Sequence, residues 1–462
     1  MEVLAVYLIG VLAALLLMYM LIKKFDIKVT LLGTGLLLMY IAIAFGNETP
    51  GGTEYAILNP IMAIVLQFRN TLQGPGLVIL LLGGYASFMQ LIKANEITVY
   101  GLTKPLKKIK SPYVLVPIVF LLGNLLSLVI PSASNLAIIL LATLYPVLKK
   151  AGLSNLTAAA VLATTATIVP TPLGSDNVAV AAELGMSVTQ YVFSYHAIIS
   201  IPALLLMAVV HSFWQKFMDK RDAAKGIVDN NELSFDQLEE IPSGKLFRLV
   251  YGTLPLLPII ILLVLFAVNN TVYGADLPMG VELVTIFSFI IAIFVELIRK
   301  KNVREVLQST ESFFTGMGNN MGIVALLVCA GIFVSGLNSI GIISQLQDAM
   351  ANATGAGYIL PFVMVGLTAV VVLLSGSGVA LFFAMIPLMV PLAAAAGIDP
   401  VALAIPMGLT GNLLRAVSPV AAVVVIVAGA TKENPINIIK RTSVPMIAGV
   451  ILTVVLSLIL FV

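Results

Sequence analysis

Apolar runs of about the length of a membrane crossing recur from one end of this 462-residue chain to the other. Residues 3–22, 249–268, 281–298 and 444–462 reach the roughly 20 residues a helix needs to span hydrocarbon. A shorter run covers 32–44. Charged residues make up 10% of the chain and hydrophobic ones 60%; mean hydropathy is +1.08. A soluble domain of this size carries about 25% charged residues, because its surface must hold water. Barrel strands are short and alternating, unlike these runs, so the chain is expected to be an all-α polytopic membrane protein.

The net charge of +3 sits in loop clusters. It is therefore a topology signal and gives no ground for nucleic-acid binding. The lone Cys329 rules out an internal disulfide, and His196 and His211 have no further His or Cys near them in sequence, so no metal site is expected. The first apolar run lacks a small-residue cleavage site and reads as a transmembrane helix, not a signal peptide.

The chain repeats weakly. GLVILLLGGYASF from Gly76 resembles GIVALLVCAGIFV from Gly322, and PSASNLAIILLATLYPVLKKAGLS from Pro131 resembles SGSGVALFFAMIPLMVPLAAAAGID from Ser375. The pairs Gly76/Gly322, Gly84/Gly331, Pro146/Pro391 and Gly152/Gly397 stand about 246 positions apart. Internal repeats of this kind mark secondary carriers.

Positive loops face the cytoplasm. Lys23, Lys24 and Lys28 put the first loop inside and the N-terminus outside. Lys93, Lys104, Lys107, Lys108 and Lys110 mark the next inner loop, Lys149 and Lys150 another, and Arg299, Lys300, Lys301 and Arg304 one in the second half. Lys432, Lys440 and Arg441 then mark the inner loop before the last helix, which leaves the C-terminus outside. The first half starts outside and the second inside, so the repeat is inverted. About 10 transmembrane helices plus two re-entrant hairpins result. The halves are 1–214 (scaffold and arm 1–110, hairpin and broken helix 111–214) and 249–462 (scaffold and arm 249–357, hairpin and broken helix 358–462). The polar stretch 215–248 between them reads as a solvated cytoplasmic linker.

Each half carries two interruptions. The hairpin turns read Pro131-Ser132-Ala133-Ser134-Asn135 and Ser375-Gly376-Ser377-Gly378. The mid-length breaks contain Thr171, Gly174, Ser175, Asp176 and Asn177 in one half, and Gly411, Asn412, Arg415 and Ser418 in the other. Irregular backbone at membrane depth is tolerated only inside protein or beside a cavity. Its freed N–H groups and positive half-helix ends suit a carboxylate, while its carbonyls and hydroxyls suit Na⁺. Asp176 and Arg415 are the ionisable residues expected deepest in the membrane, where such groups are functional by default. Arg415 offers a planar fork for a carboxylate. Asp176 can carry a proton, ligate Na⁺ or neutralise Arg415. Glu183, Glu282, Glu296 and Asp399 fall near helix ends and read as interfacial. No Walker loop, nucleotide fingerprint or HExxH occurs, so the chain does not read as an enzyme.

The stretch ANEITVYGLTKPLKKIKSPYVL, the PSASNLAIILLATLYPVL turn and the closing GNLLRAVSPVAAVVVIVAGATKENPINIIKRTSVP together resemble the anaerobic C4-dicarboxylate carriers of the Dcu type C group, over nearly the whole chain. The resemblance implies a bacterial inner-membrane secondary carrier of succinate, fumarate or malate, with no cofactor beyond a coupling ion such as Na⁺. It also implies a scaffold and a mobile transport domain, usually in a homodimer moving as an elevator. Carried over, Ser132, Ser134, Asn135, Ser375 and Ser377 are the hairpin tips. Thr171, Asn412, Arg415 and Ser418 then face substrate, and Asp176, Gly174, Ser175, Asn177 and Gly411 serve a coupling ion or proton. A cation/proton antiporter of the same superfamily is the alternative, followed by a carrier for amino-acid-like anions and, last, a channel.

Overall fold

The computed structural model describes residues 3–23, 25–109, 111–130, 132–226, 244–272, 277, 280–351 and 355–462. Glu2, Lys24, Lys110, Pro131 and the middle of the expected linker, 227–243, lie outside the described residues. Every regular element among those described is helical. Nine of the helices are long and apolar enough to cross a membrane, by length and composition.

One plan runs twice. The first half has the helices Val3–Ile22, Ile27–Ala44 and Ala56–Leu91, then a hairpin of Pro112–Ser127 and Ala133–Thr143. A broken segment, Asn155–Ala163 and Ser175–Glu183, follows, and the long run Val188–Ala224 closes the half. The second half has Lys245–Thr271, Val281–Lys300 and Val303–Ser339, then a hairpin of Ala356–Ser375 and Val379–Ala396. Its broken segment is Val401–Arg415 and Ala422–Thr431, and Pro435–Phe461 ends the chain. The topology expected from the loop charges, in which each hairpin returns to its own side, gives each half an odd number of crossings and starts the second opposite the first. The arms of the second hairpin have spanning length while those of the first are shorter; the parity is the same either way.

The breaks follow from local chemistry. Pro170 and Pro172 remove donors and clash with the preceding turn, which prevents the helix ending at Ala163 from resuming before Gly174. Ser418-Pro419 does the same after Arg415.

Packing interlocks the halves. The half-helix Ser175–Glu183 of the first half lies on the arm Val379–Ala396 of the second hairpin. There Val178, Val180 and Ala181 share a core with Leu381, Phe382 and Phe383. Reciprocally, Ala422–Thr431 lies on Ala133–Thr143 of the first hairpin, and Val423, Val424 and Val427 join Leu136, Ala137 and Leu140. Each broken segment thus gives its second piece to the other half's hairpin, and this brings the two breaks together.

The linker starts later than its composition suggests. The helix passes Trp214 and runs to Ala224, with Gln215, Met218 and Asp222 buried. The cause is Arg441, read from sequence as a loop cation. It lies inside Pro435–Phe461, is 1% exposed, and pairs with Asp219 at 2.6 Å and Asp222 at 2.7 Å. Glu296, near its helix end as expected, is likewise buried against protein, held by Arg299 at 2.9 Å and by the Tyr251 hydroxyl at 2.8 Å. Removing the cation of a buried pair strands its carboxylates, a loss of about 3–5 kcal/mol, whereas an exposed pair contributes about 0–1 kcal/mol. Arg441→Gln is therefore expected to lower the thermal midpoint of the detergent-solubilised protein clearly. Lys300→Ala, which breaks the more exposed pair with Glu305, should leave it within experimental scatter.

Candidate substrate site at the paired helix breaks

Residues 164–174 leave the helix, and buried side chains supply the partners that their backbone loses. Asn124, on the first hairpin arm and 2% exposed, accepts from the Thr167 and Ile168 N–H groups at 2.9 and 3.0 Å. Its amide nitrogen donates to the Thr164 carbonyl at 3.2 Å. Asn177 donates to the Val169 and Thr171 carbonyls at 3.2 and 2.8 Å, and the Thr171 hydroxyl accepts from Leu173 N–H at 3.2 Å. The break is a built turn.

The second break is tied down on two sides. Ser418 donates to the Leu373 carbonyl of the second hairpin at 3.0 Å, and Thr442 to the Ala416 carbonyl at 2.7 Å. The hairpin tip makes the closest approach. Gly376 has φ +78°, and a Cβ on Gly378 would lie 2.8 Å from the Cα of Gly411. Glycine is required at both, for its left-handed backbone at one and for its missing side chain at the other.

The two breaks meet through Asn412 and Arg415. Asn412 donates to Asp176 at 3.4 Å, and Arg415 donates through one Nη to the Ala166 carbonyl at 2.6 Å. Arg415 and Asp176 form no ion pair: the carboxylate takes Asn412 and the Asn177 N–H instead. The half-buried guanidinium therefore keeps its remaining N–H groups open. Both half-helices leaving the breaks, Ser175–Glu183 and Ala422–Thr431, begin at Gly174 and Ala421 with no side-chain cap. Their positive ends and the Arg415 fork suit an anion.

The tips divide by what they leave free. Ser375 and Ser377 are exposed, and their hydroxyls bond within the turn. Ser132 caps its helix by accepting from Asn135 N–H at 3.3 Å. The side chains of Ser134 and Asn135 make no hydrogen bond among the described residues. No hydrogen bond among the described residues joins the first tip to Arg415 or Asp176, nor does one involve the Ser175 side chain. Beside Asp176 lies a cavity with room for about one water, lined among others by Val169, Asn177, Tyr191, His196 and Asn412. Tyr191 and His196 sit on a π-helical turn, 191–196, a common signature of functional positions. The Asp176 carboxylate and the oxygens of Asn177, Asn412 and Tyr191 are the donors here that can hold a cation. Among the described residues no group of three or more His, Cys, Asp or Glu forms a metal cluster.

Sequence reasoning missed Asn124, Tyr191 and Arg441. Only Asn124 carried a signal, as an amide in the middle of an apolar hairpin arm.

The profile of the DcuC family, the C4-dicarboxylate anaerobic carriers, matches residues 7–462. The chain belongs to the DcuC family. A probable anaerobic C4-dicarboxylate transporter DcuC of Vibrio cholerae is 35% identical over 465 residues, covering 98% of this chain and 97% of its own. The anaerobic C4-dicarboxylate transporter DcuC of Escherichia coli K12 is 33% identical, covering 94% and 92%. Among solved structures the YdaH transporter of Alcanivorax borkumensis superposes with a TM-score of 0.68 at 16% identity, covering 94% of this chain and 97% of its own. MtrF of Neisseria gonorrhoeae gives 0.54 at 17%, covering 93% and 94%. These last two share the fold alone. This DcuC chain is a multi-pass membrane transporter.

Replacing Asn124 with Leu leaves the Thr167 and Ile168 N–H groups of the first break buried without their acceptor, at about 1–3 kcal/mol each. Hydrogen exchange followed by mass spectrometry should show residues 164–171 exchanging at least about tenfold faster in Asn124→Leu, with residues 322–339 unchanged.

Proposed function

We propose that this chain carries C4-dicarboxylates such as succinate, fumarate and malate across the bacterial inner membrane, with one substrate carboxylate on Arg415. The observation that carries this reading is the unpaired fork: a half-buried guanidinium between two breaks, with one backbone carbonyl as its only hydrogen-bond partner among the described residues. A cation so placed favours an anion strongly, and a bidentate carboxylate fits its geometry. The Asn412 amide, one turn away on the same helix, and the uncapped half-helix ends are proposed to supply further donors, with Ser134 and Asn135 of the first tip as additional candidates. The names of the relatives support the substrate class.

Transport is proposed to be ion-coupled or by exchange, with Asp176 and its cavity taking the coupling proton or Na⁺. The hairpins and broken segments, 111–214 and 358–462, move as a transport domain against the scaffold, 1–110 and 249–357, in an elevator-type cycle within a homodimer. Both termini face the periplasm. A cation/proton antiporter is the second reading, and Arg415 counts against it, because a permanent cation repels Na⁺.

Arg415→Gln should abolish succinate uptake into proteoliposomes. Arg415→Lys, which keeps the charge and loses the fork, should raise KM by about tenfold or more. Unchanged uptake in both variants would remove Arg415 from the substrate site.

A further inference from the structure

The helix Ala197–Ala224 turns a row of polar side chains inward that the site above does not use. His211 and Gln215 are 0% exposed and Asp222 is 9% exposed, with Asp219 beside them. Gln215 decides how they are arranged. Its Oε1 lies 3.3 Å from an Nη of Arg441, which only donates. Its Nε2 lies 2.8 Å from the Arg441 carbonyl, which only accepts. Both contacts fix the same orientation of the amide.

The second hydrogen on that Nε2 then points at Nδ1 of His211, 3.1 Å away. Nδ1 must accept, so the imidazole is neutral and carries its proton on Nε2. Nε2 lies 3.0 Å from the Thr164 hydroxyl, and the hydroxyl gives its own proton to the Val161 carbonyl at 2.9 Å. Thr164 is the first residue after the helix Asn155–Ala163. Its carbonyl takes Asn124 and the Thr167 hydroxyl, and two residues on, the Ala166 carbonyl holds Arg415. Arg441 grips the same short helix a second time, donating to Thr157 at 2.6 Å.

We propose that Arg441, through Gln215 and His211, is a positioning residue for the substrate site. Its charge and carbonyl set the Gln215 amide, the amide sets the His211 tautomer, and the Nε2–H holds Thr164 and the turn that anchors Arg415. The buried ion pairs of Arg441 thereby help to fix the geometry of the Arg415 guanidinium. The functional half of this inference rests on Arg415 binding substrate; the tautomer half does not.

Two measurements test it. The chain has only two histidines, so nitrogen NMR of ¹⁵N-histidine-labelled protein in bilayers resolves both, with His211→Gln giving the assignment. His211 is expected to show a protonated Nε2 and a bare Nδ1. In Gln215→Glu, which has no amide hydrogen to give, the proton should move to Nδ1. A proton already on Nδ1 in the parent, or no change in Gln215→Glu, overturns the relay. In proteoliposomes, Thr164→Val and His211→Leu should raise the KM for succinate about fivefold or more at similar maximal rate per folded carrier. His211→Gln, whose amide can reach Thr164, should stay within about twofold of the parent. A fall in maximal rate with KM unchanged in Thr164→Val and His211→Leu means a merely structural role and overturns the positioning claim. If the tautomer result holds while Arg415→Lys transports normally, the reading of Arg415 fails and the relay stands.

Discussion

Backbone N–H and C=O groups freed where a membrane helix breaks have no water to turn to, so every break needs a local partner for each group it releases. Most of the central architecture answers that demand. Asn124 and Asn177 serve the first break, Ser418 and Thr442 the second, and Gly376 and Gly378 let the second hairpin's tip close over it. The interlock follows from the same need. Each short half-helix would be a fragment too brief to span, and the opposite half's hairpin gives it an apolar partner.

Once the breaks are satisfied, what remains unsatisfied is informative. Arg415 spends one N–H on Ala166 and keeps the others open, with no protein carboxylate in contact. Arg441, fully buried, has two carboxylates and two polar side chains around it. The contrast separates a cation whose partners are all protein groups from one that the proposed function assigns to the substrate. Asp176 sits apart from both, with Asn412 as the link to Arg415's helix.

Hydrophobic run length, positive loops and paired interruptions made the helical class, the two-half plan and both breaks legible in the sequence, because each reflects a constraint the bilayer imposes locally. Asp176, Asn177, Asn412, Arg415 and Ser418 became candidates because the sequence places them at those interruptions. Only Ser418 falls in non-helical backbone, the other four lying on the half-helices beside the breaks. Partners supplied from other helices were not legible. Arg441 looked like one more inner-loop cation, since nothing near it in the chain announces Asp219 and Asp222, more than 200 positions away. Asn124 and Tyr191 reach the breaks only through tertiary packing. The helix continues into the polar stretch for the same reason: Gln215, Asp219 and Asp222 there face Arg441, while Lys216, Lys220 and Arg221 on the other face are exposed.

The central claim is that two interlocked breaks form one site that carries a C4-dicarboxylate. Counterflow of labelled succinate in proteoliposomes, run with and without a Na⁺ gradient and with fumarate, malate, citrate and glutamate as competitors, tests it most directly. The account predicts saturable counterflow, with fumarate and malate competing and citrate and glutamate ineffective. Flux that neither saturates nor is stimulated by internal succinate, or that glutamate inhibits as well as malate does, would contradict it.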